Sequence, residues 1–144
     1  MTTVRQLLGG KGDSVYTIGP DATVYDALQE LAARDVGALV VTENGEVVGL
    51  VSERDYARKL VLMGKLSRET QVREIMSDEV ICVGFQQTVD GCMALMSQKR
   101  IRHLPVLESG RLSGIISIGD VVKAIIEGQQ STIAELEHYI TGRR

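Results

Sequence analysis

The sequence predicts a mixed α+β (α/β) fold: two tandem β-α-β-β-α repeats, packed sheet to sheet about a pseudo-two-fold axis and followed by a C-terminal helix. Three observations predict it. The chain repeats itself; each copy carries a helix-period apolar stripe followed by two strands around a two-residue turn; and a further apolar stripe lies beyond the second copy.

The repeat is read by sliding the chain along itself. Val15 to Asp55 aligns without a gap on Val80 to Asp120. Thr23-Val24 falls on Thr88-Val89, Leu39 on Leu104, Val41 on Val106, and Gly49, Ser52 and Asp55 on Gly114, Ser117 and Asp120. The lead-ins also match, Thr3 to Leu8 resembling Gln71 to Met76 at a slightly larger offset, which leaves Gly9 to Ser14 as an inserted glycine-rich loop in the first copy. The division expected is residues 1–65 for the first repeat with its lead-in, 66–128 for the second with its lead-in, and 129–144 for the C-terminal extension. Leu66 to Thr70 reads as a short linker.

Within each copy the elements follow in order. A short extended stretch, Val15 to Ile18 or Val80 to Val83, precedes an amphipathic helix. In the first copy Val24, Ala27, Leu28, Leu31 and Ala32 recur at helical spacing, and in the second Val89, Cys92, Met93 and Met96 do so. Thr23 and Thr88 stand where an N-cap belongs. Two strands follow, Ala38 to Thr42 and Val47 to Ser52, joined by Asn44-Gly45. The second copy uses Leu104 to Leu107 and Leu112 to Ser117, joined by Ser109-Gly110. A second helix starts after Ser52 or Ser117. One unit of about 60 residues buries too little surface to be comfortable alone, so the two are expected to share one body.

Composition narrows the function. A net charge of −3 and a pI near 5.4 argue against a nucleic-acid surface, and 3% aromatic residues without tryptophan leave few stacking platforms. No apolar run approaches the roughly 18 residues of a membrane span, and Met1 to Asp13 has no signal-peptide core, so a cytoplasmic protein is expected. Cys82 and Cys92 lack metal-ligand spacing and read as small hydrophobes in a reducing compartment; no metal is required. No nucleophile elbow, P-loop or metal cluster is present, and an enzyme is not expected.

Two motifs carry chemistry. Gly49-Leu50-Val51-Ser52-Glu53-Arg54-Asp55 and Gly114-Ile115-Ile116-Ser117-Ile118-Gly119-Asp120 each end an apolar strand on a serine, with an aspartate in the first turn of the next helix. That spacing is a capping box, but it also suits a ligand: free amides at a helix start attract phosphate, and a carboxylate there can accept two ribose hydroxyls. The readings are compatible, because serine can cap while aspartate binds. The second motif is Arg102-His103-Leu104-Pro105-Val106, where cationic groups lead into a core strand.

The doubled Gly-to-Asp motif, together with Arg102 to Val106, resembles the CBS domain, a module that works in pairs called Bateman modules. The resemblance spans about Val4 to Glu127 and is closest to small stand-alone pairs. It implies an adenosine ligand (AMP, ATP, NAD or S-adenosylmethionine) in the groove between repeats, with Asp55 and Asp120 on ribose and Ser52 and Ser117 near ribose or phosphate. Adenine would meet Ile18, Gly37 and Ala38 in one half and Val83, Arg102, His103 and Pro105 in the other. Arg54 and the Arg102-His103 pair are the phosphate partners by chemistry, since arginine donates a planar fork of hydrogen bonds.

The halves are unequal. Where the second has Arg102-His103, the first has Gly37-Ala38; where the first has Arg54, the second has Gly119. Either one site borrows cations from the opposite repeat or only one binds tightly. The resemblance implies a regulatory module that modulates a separate, unidentified protein; the alternative is an interaction scaffold with decayed sites. Ile133, Leu136, Tyr139 and Ile140 form a stripe on the C-terminal helix suited to a homodimer contact.

Overall fold

A computed structural model describes residues 2–12 and 14–141. Its elements run α1 (Val4–Lys11), β1 (Thr17–Ile18), α2 (Val24–Arg34), β2 (Ala38–Glu43), β3 (Glu46–Ser52), α3 (Glu53–Asp55, continuing in π geometry over Tyr56–Val61), α4 (Val89–Lys99), β4 (His103–Glu108), β5 (Arg111–Ser117) and α5 (Ile118–Thr141), with a 3-10 turn at Val72–Glu74 before the second copy.

Local chemistry repeats between the copies. Thr23 accepts a hydrogen bond from the Asp26 amide and Thr88 from that of Gly91, so both expected caps are made. Helices α2 and α4 both stop at a residue in the left-handed conformation, Asp35 and Arg100, with φ of 53° and 55°. Both hairpins turn on two residues of positive φ, Asn44-Gly45 and Ser109-Gly110, the type I′ geometry that matches strand twist. Strands β2 and β3 pair antiparallel, as do β4 and β5 in the same register. The copies differ at the first strand: β1 pairs parallel with β2, whereas its counterpart shrinks to one parallel bridge, Val83 to Val106.

The lead-ins are exchanged. Val4 N–H donates to the Gln87 carbonyl, Arg5 N–H to that of Phe85, and Val89 N–H to that of Thr2. The same three bonds recur as Val72 to Ala22, Arg73 to Pro20, and Val24 to Thr70. Each lead-in thus holds the start of the other repeat's first helix, and the two cores follow suit. Val24, Ala27, Leu31, Leu39, Val41 and Val51 pack with Val72 and Ile75 from the second lead-in. Val89, Cys92, Met96, Leu104, Val106 and Ile116 pack with Val4, Leu7 and Leu8 from the first. Burying each such aliphatic side chain contributes roughly 1.5–3 kcal/mol. The division at 65/66 follows the sequence repeat; the packing ties each lead-in to the opposite half.

Strand burial shows how the halves meet. Leu39 and Val41 face the first core, yet the alternate residues Ala38 and Val40 are also buried; Pro105 repeats this between Leu104 and Val106. A strand covered on both faces has helices on one side and the other sheet on its back.

Two expectations change. Gly9 and Gly10 do not form a loop: α1 continues through them to Lys11, because Leu7 and Leu8 dock it on the second core and outweigh the roughly 1 kcal/mol helix cost of each glycine. Asp13, within that expected loop, lies outside the described residues. The C-terminal helix is not separate but continues the second repeat's last helix as α5, Gly128 alone being too weak a breaker; residues 142–144 lie outside the described residues. Leu66 to Thr70 stays outside helices and strands, with Thr70 buried and its hydroxyl donating to the Leu66 carbonyl.

The exchange explains the motif glycines. A Cβ on Gly49 would lie 2.5 Å from Met76 Sδ and 3.1 Å from the Ser77 carbonyl oxygen; on Gly114 it would lie 3.0 Å from Leu8. Neither position has positive φ, so glycine serves close approach of the crossing lead-in. Gly49→Ala is expected to destabilise by about 1–3 kcal/mol in denaturant unfolding, and Met76→Ala in the same chain should recover part of that loss.

Candidate functional site

Each motif aspartate sits in the turn that ends its hairpin. Ser52 N–H donates to Asp55 Oδ2 at 2.9 Å while the Asp55 amide donates to Ser52 Oγ at 3.3 Å. The second copy repeats this, Ser117 N–H to Asp120 Oδ2 at 2.8 Å and Asp120 amide to Ser117 Oγ at 3.2 Å. Both capping boxes are therefore formed. The strand leads fix the helix starts in turn, with Glu53 N–H bonded to the Gly37 carbonyl and Ile118 N–H to that of Arg102.

From this frame the first aspartate opens onto a cleft of about 450 Å³ between the repeats. It brings together Gly37, Ser52, Arg54 and Asp55 of the first half with Arg102 and His103 of the second. Gly37 lies against His103, where a Cβ would sit 3.6 Å from its Nε2. The site thus borrows its Arg-His pair across the interface, one of the two arrangements the unequal halves allowed.

The remaining expected residues are placed apart. Ile18 is half-buried against the first core; Ala38, Val83 and Pro105 are buried in or beside the strands. Ser117 caps Asp120, and Asp120 faces a second depression with Lys11, Lys123 and Glu127. The cleft also holds Arg58, Lys59 and Arg100, which sequence reasoning did not assign, and Glu53. Arg58 follows Arg54 at i+4, a usable signal, whereas Arg100 stands at the end of α4, where a cation has an ordinary helix-end explanation. Five cationic side chains against two carboxylates line this cleft in a chain of net charge −3, so positive potential is concentrated here.

Electrostatics tie the two aspartates together. Burial lowers the His103 pKa below its ordinary value, and the charges of Lys11 and Arg102 lower it further against the pull of Asp120 and Asp55. At Asp120 burial pushes upward, but Lys11 and the Ser117 hydrogen bonds prevail and hold its pKa below the usual carboxylate value. Cys82 is half-buried and Cys92 buried, both thiols pushed up by burial.

The family model for the CBS domain matches residues 12–62 and 72–127. The chain belongs to the CBS family. The mitochondrial CBS domain-containing protein CBSX3 of Arabidopsis thaliana is 38% identical over 150 residues, spanning 98% of this chain and 73% of that protein. A CBS-domain protein from Burkholderia ambifaria MC40-6, assigned to signal transduction, superposes with a TM-score of 0.85 at 47% identity over 89% of this chain and 96% of that one. The CBS domain pair of protein MJ0100, in complex with 5′-methylthioadenosine and S-adenosyl-L-methionine, shares the fold, with a TM-score of 0.77 at 24% identity over 90% and 98% of the two chains. The CBS pair described above is a regulatory, signal-transduction type of module. Among the described residues, no helix is long and apolar enough to cross a membrane.

The state of His103 sets a pH dependence. Below its unfolded pKa of about 6.5 the unfolded chain takes up a proton that the folded imidazole resists. Stability is therefore lost as pH falls from about 6.5 toward the lower folded value. Denaturant unfolding between pH 7.5 and 5.5 should show a steeper loss for the native chain than for His103→Gln; equal slopes would contradict the assignment.

Proposed function

We propose that this CBS pair binds an adenine nucleotide in the cleft at Asp55 and, by doing so, regulates a separate protein in the cytoplasm, without catalysis of its own. The observation that carries the reading is the convergence, in one cleft, of the capped Asp55 with Arg102 and His103 from the opposite repeat. Asp55 Oδ2 is engaged by the serine amide, while Oδ1 pairs at 3.0 Å with Lys59, whose side chain is nearly half exposed. A carboxylate so oriented suits a ribose diol. The cationic wall of Arg54, Arg58, Arg100 and Arg102 favours the phosphorylated candidates, AMP, ATP and NAD, over S-adenosylmethionine, whose sulfonium is positive.

Bridging both repeats, the ligand would couple occupancy to the angle between them, provided the two arrangements differ in affinity for it. Calorimetry with AMP, ATP, NAD and S-adenosylmethionine tests the reading: the phosphorylated ligands should give heat. Asp55→Asn is expected to weaken binding tenfold or more, and Arg102→Gln to weaken ATP more than adenosine. Unchanged affinity in Asp55→Asn would leave that acid a cap alone.

A homodimer belongs to the same proposal. Ile126, Ile133, Leu136 and Ile140 are exposed on α5, and with Gln129 they alternate at steps of three and four, the spacing of a two-helix seam. Ile133→Glu with Leu136→Glu should convert a sedimenting dimer to monomer; a persistent dimer would place the contact elsewhere.

A further inference from the structure

The two aspartates, alike in sequence, are not alike in what they touch. Asp120 Oδ2 receives the Lys11 ammonium at 2.6 Å, and the same ammonium donates to the Ile115 carbonyl at 2.7 Å. Lys11 comes from the opposite end of the chain. It is placed by the last turn of α1, whose Leu8 packs against Gly114 on the strand leading to Ser117. The extension of α1 through Gly9 and Gly10 is what carries the ammonium this far.

The first site has no equivalent lysine from its matching lead-in position. The position of the second lead-in that matches Lys11 is Glu79, and the lysine near Asp55 is Lys59, four residues along the same helix. Lys59 is longer-bonded, at 3.0 Å to Asp55 and 3.2 Å to the Ile75 carbonyl, and nearly half exposed. Outside its own helix it bonds the Ile75 carbonyl of the second lead-in. Lys11 is less exposed than Lys59, 33% against 46%, although Asp120 at 24% is more open than Asp55 at 12%; the Lys11 bond joins two elements packed against each other. A ribose arriving at Asp120 must displace two short charge-assisted bonds, the stronger class of hydrogen bond. It would also find Gly119 where the first site offers Arg54.

We propose that Lys11 is a built-in occupant of the second site, so that the chain takes one adenine nucleotide, at Asp55, and that removing Lys11 opens a second site at Asp120. This rests on the nucleotide reading given above and settles which of the two aspartates is available.

Calorimetric titration with AMP and with ATP tests it on the full chain. The native protein and Lys11→Arg should bind one nucleotide per chain, Lys11→Met should bind two, and Lys11→Met with Asp120→Asn should return to one. Lys11→Gln serves the same purpose if the methionine variant does not fold. Two nucleotides bound to the native chain, or one bound to folded Lys11→Met, would overturn the inference while leaving the Asp55 site standing. Absence of heat in both the native chain and Lys11→Met would overturn the nucleotide reading and this inference with it.

Discussion

Each lead-in is hydrogen-bonded to the start of the opposite repeat's first helix, and most other features depend on that exchange. Three backbone bonds hold Thr2 to Arg5 against Phe85 to Val89, and the same three hold Thr70 to Arg73 against Pro20 to Val24. Both cores are completed by side chains from the other half, Val72 and Ile75 in one, Val4, Leu7 and Leu8 in the other. Neither repeat closes its apolar interior alone, so the halves are joined by covalent continuity as well as by their contact. The glycines of the motif are a consequence, since Met76 and Leu8 cross where a side chain would stand.

That frame makes an interfacial site possible. Asp55 and Arg102 come from different repeats, and neither half alone presents both an oriented carboxylate and an arginine-rich wall. The pseudo-symmetry that duplicates the caps would have given two such sites, but residues at the site itself differ between the copies. Gly37 makes room where Arg102 carries charge, and Gly119 replaces Arg54. His103 registers this asymmetry, feeling the charges at both aspartates from one position. Duplicated packing with divergent polar residues keeps the body while separating the roles of its halves.

Much of the fold was legible in the sequence because it is encoded locally and twice. The Thr23 and Thr88 caps, the Asn44-Gly45 and Ser109-Gly110 turns and the serine-aspartate boxes each follow from residues within a few positions of one another. The exchange was not legible: alignment attaches Gln71 to Met76 to the repeat that follows it, while its packing lies with the one before. The helical state of Gly9 and Gly10 was hidden for a related reason, since docking of Leu7 and Leu8 overrides local propensity. At the site, Asp55, Arg54, Arg102 and His103 could be singled out by chemistry. Arg58 offered a weaker signal, its i+4 spacing from Arg54, and Arg100 offered none, because a cation at a helix end has an ordinary explanation in water. Lys11 was beyond reach, its partner lying at the far end of the chain.

Helix α5 begins at the Ser117-Asp120 cap and runs without interruption to Thr141. Its 24 residues span about 36 Å at the standard rise. Such a rod is held over its first two turns, by the Ser117-Asp120 cap and by Val121, Ala124 and Ile125 on the second core, and is exposed beyond them. A tilt of about 5° at the cap would sweep the far end through about 3 Å over that length, enough to shift any partner surface seated on the stripe. The carboxylate and the exposed stripe, remote from each other along the helix, are thus mechanically one part.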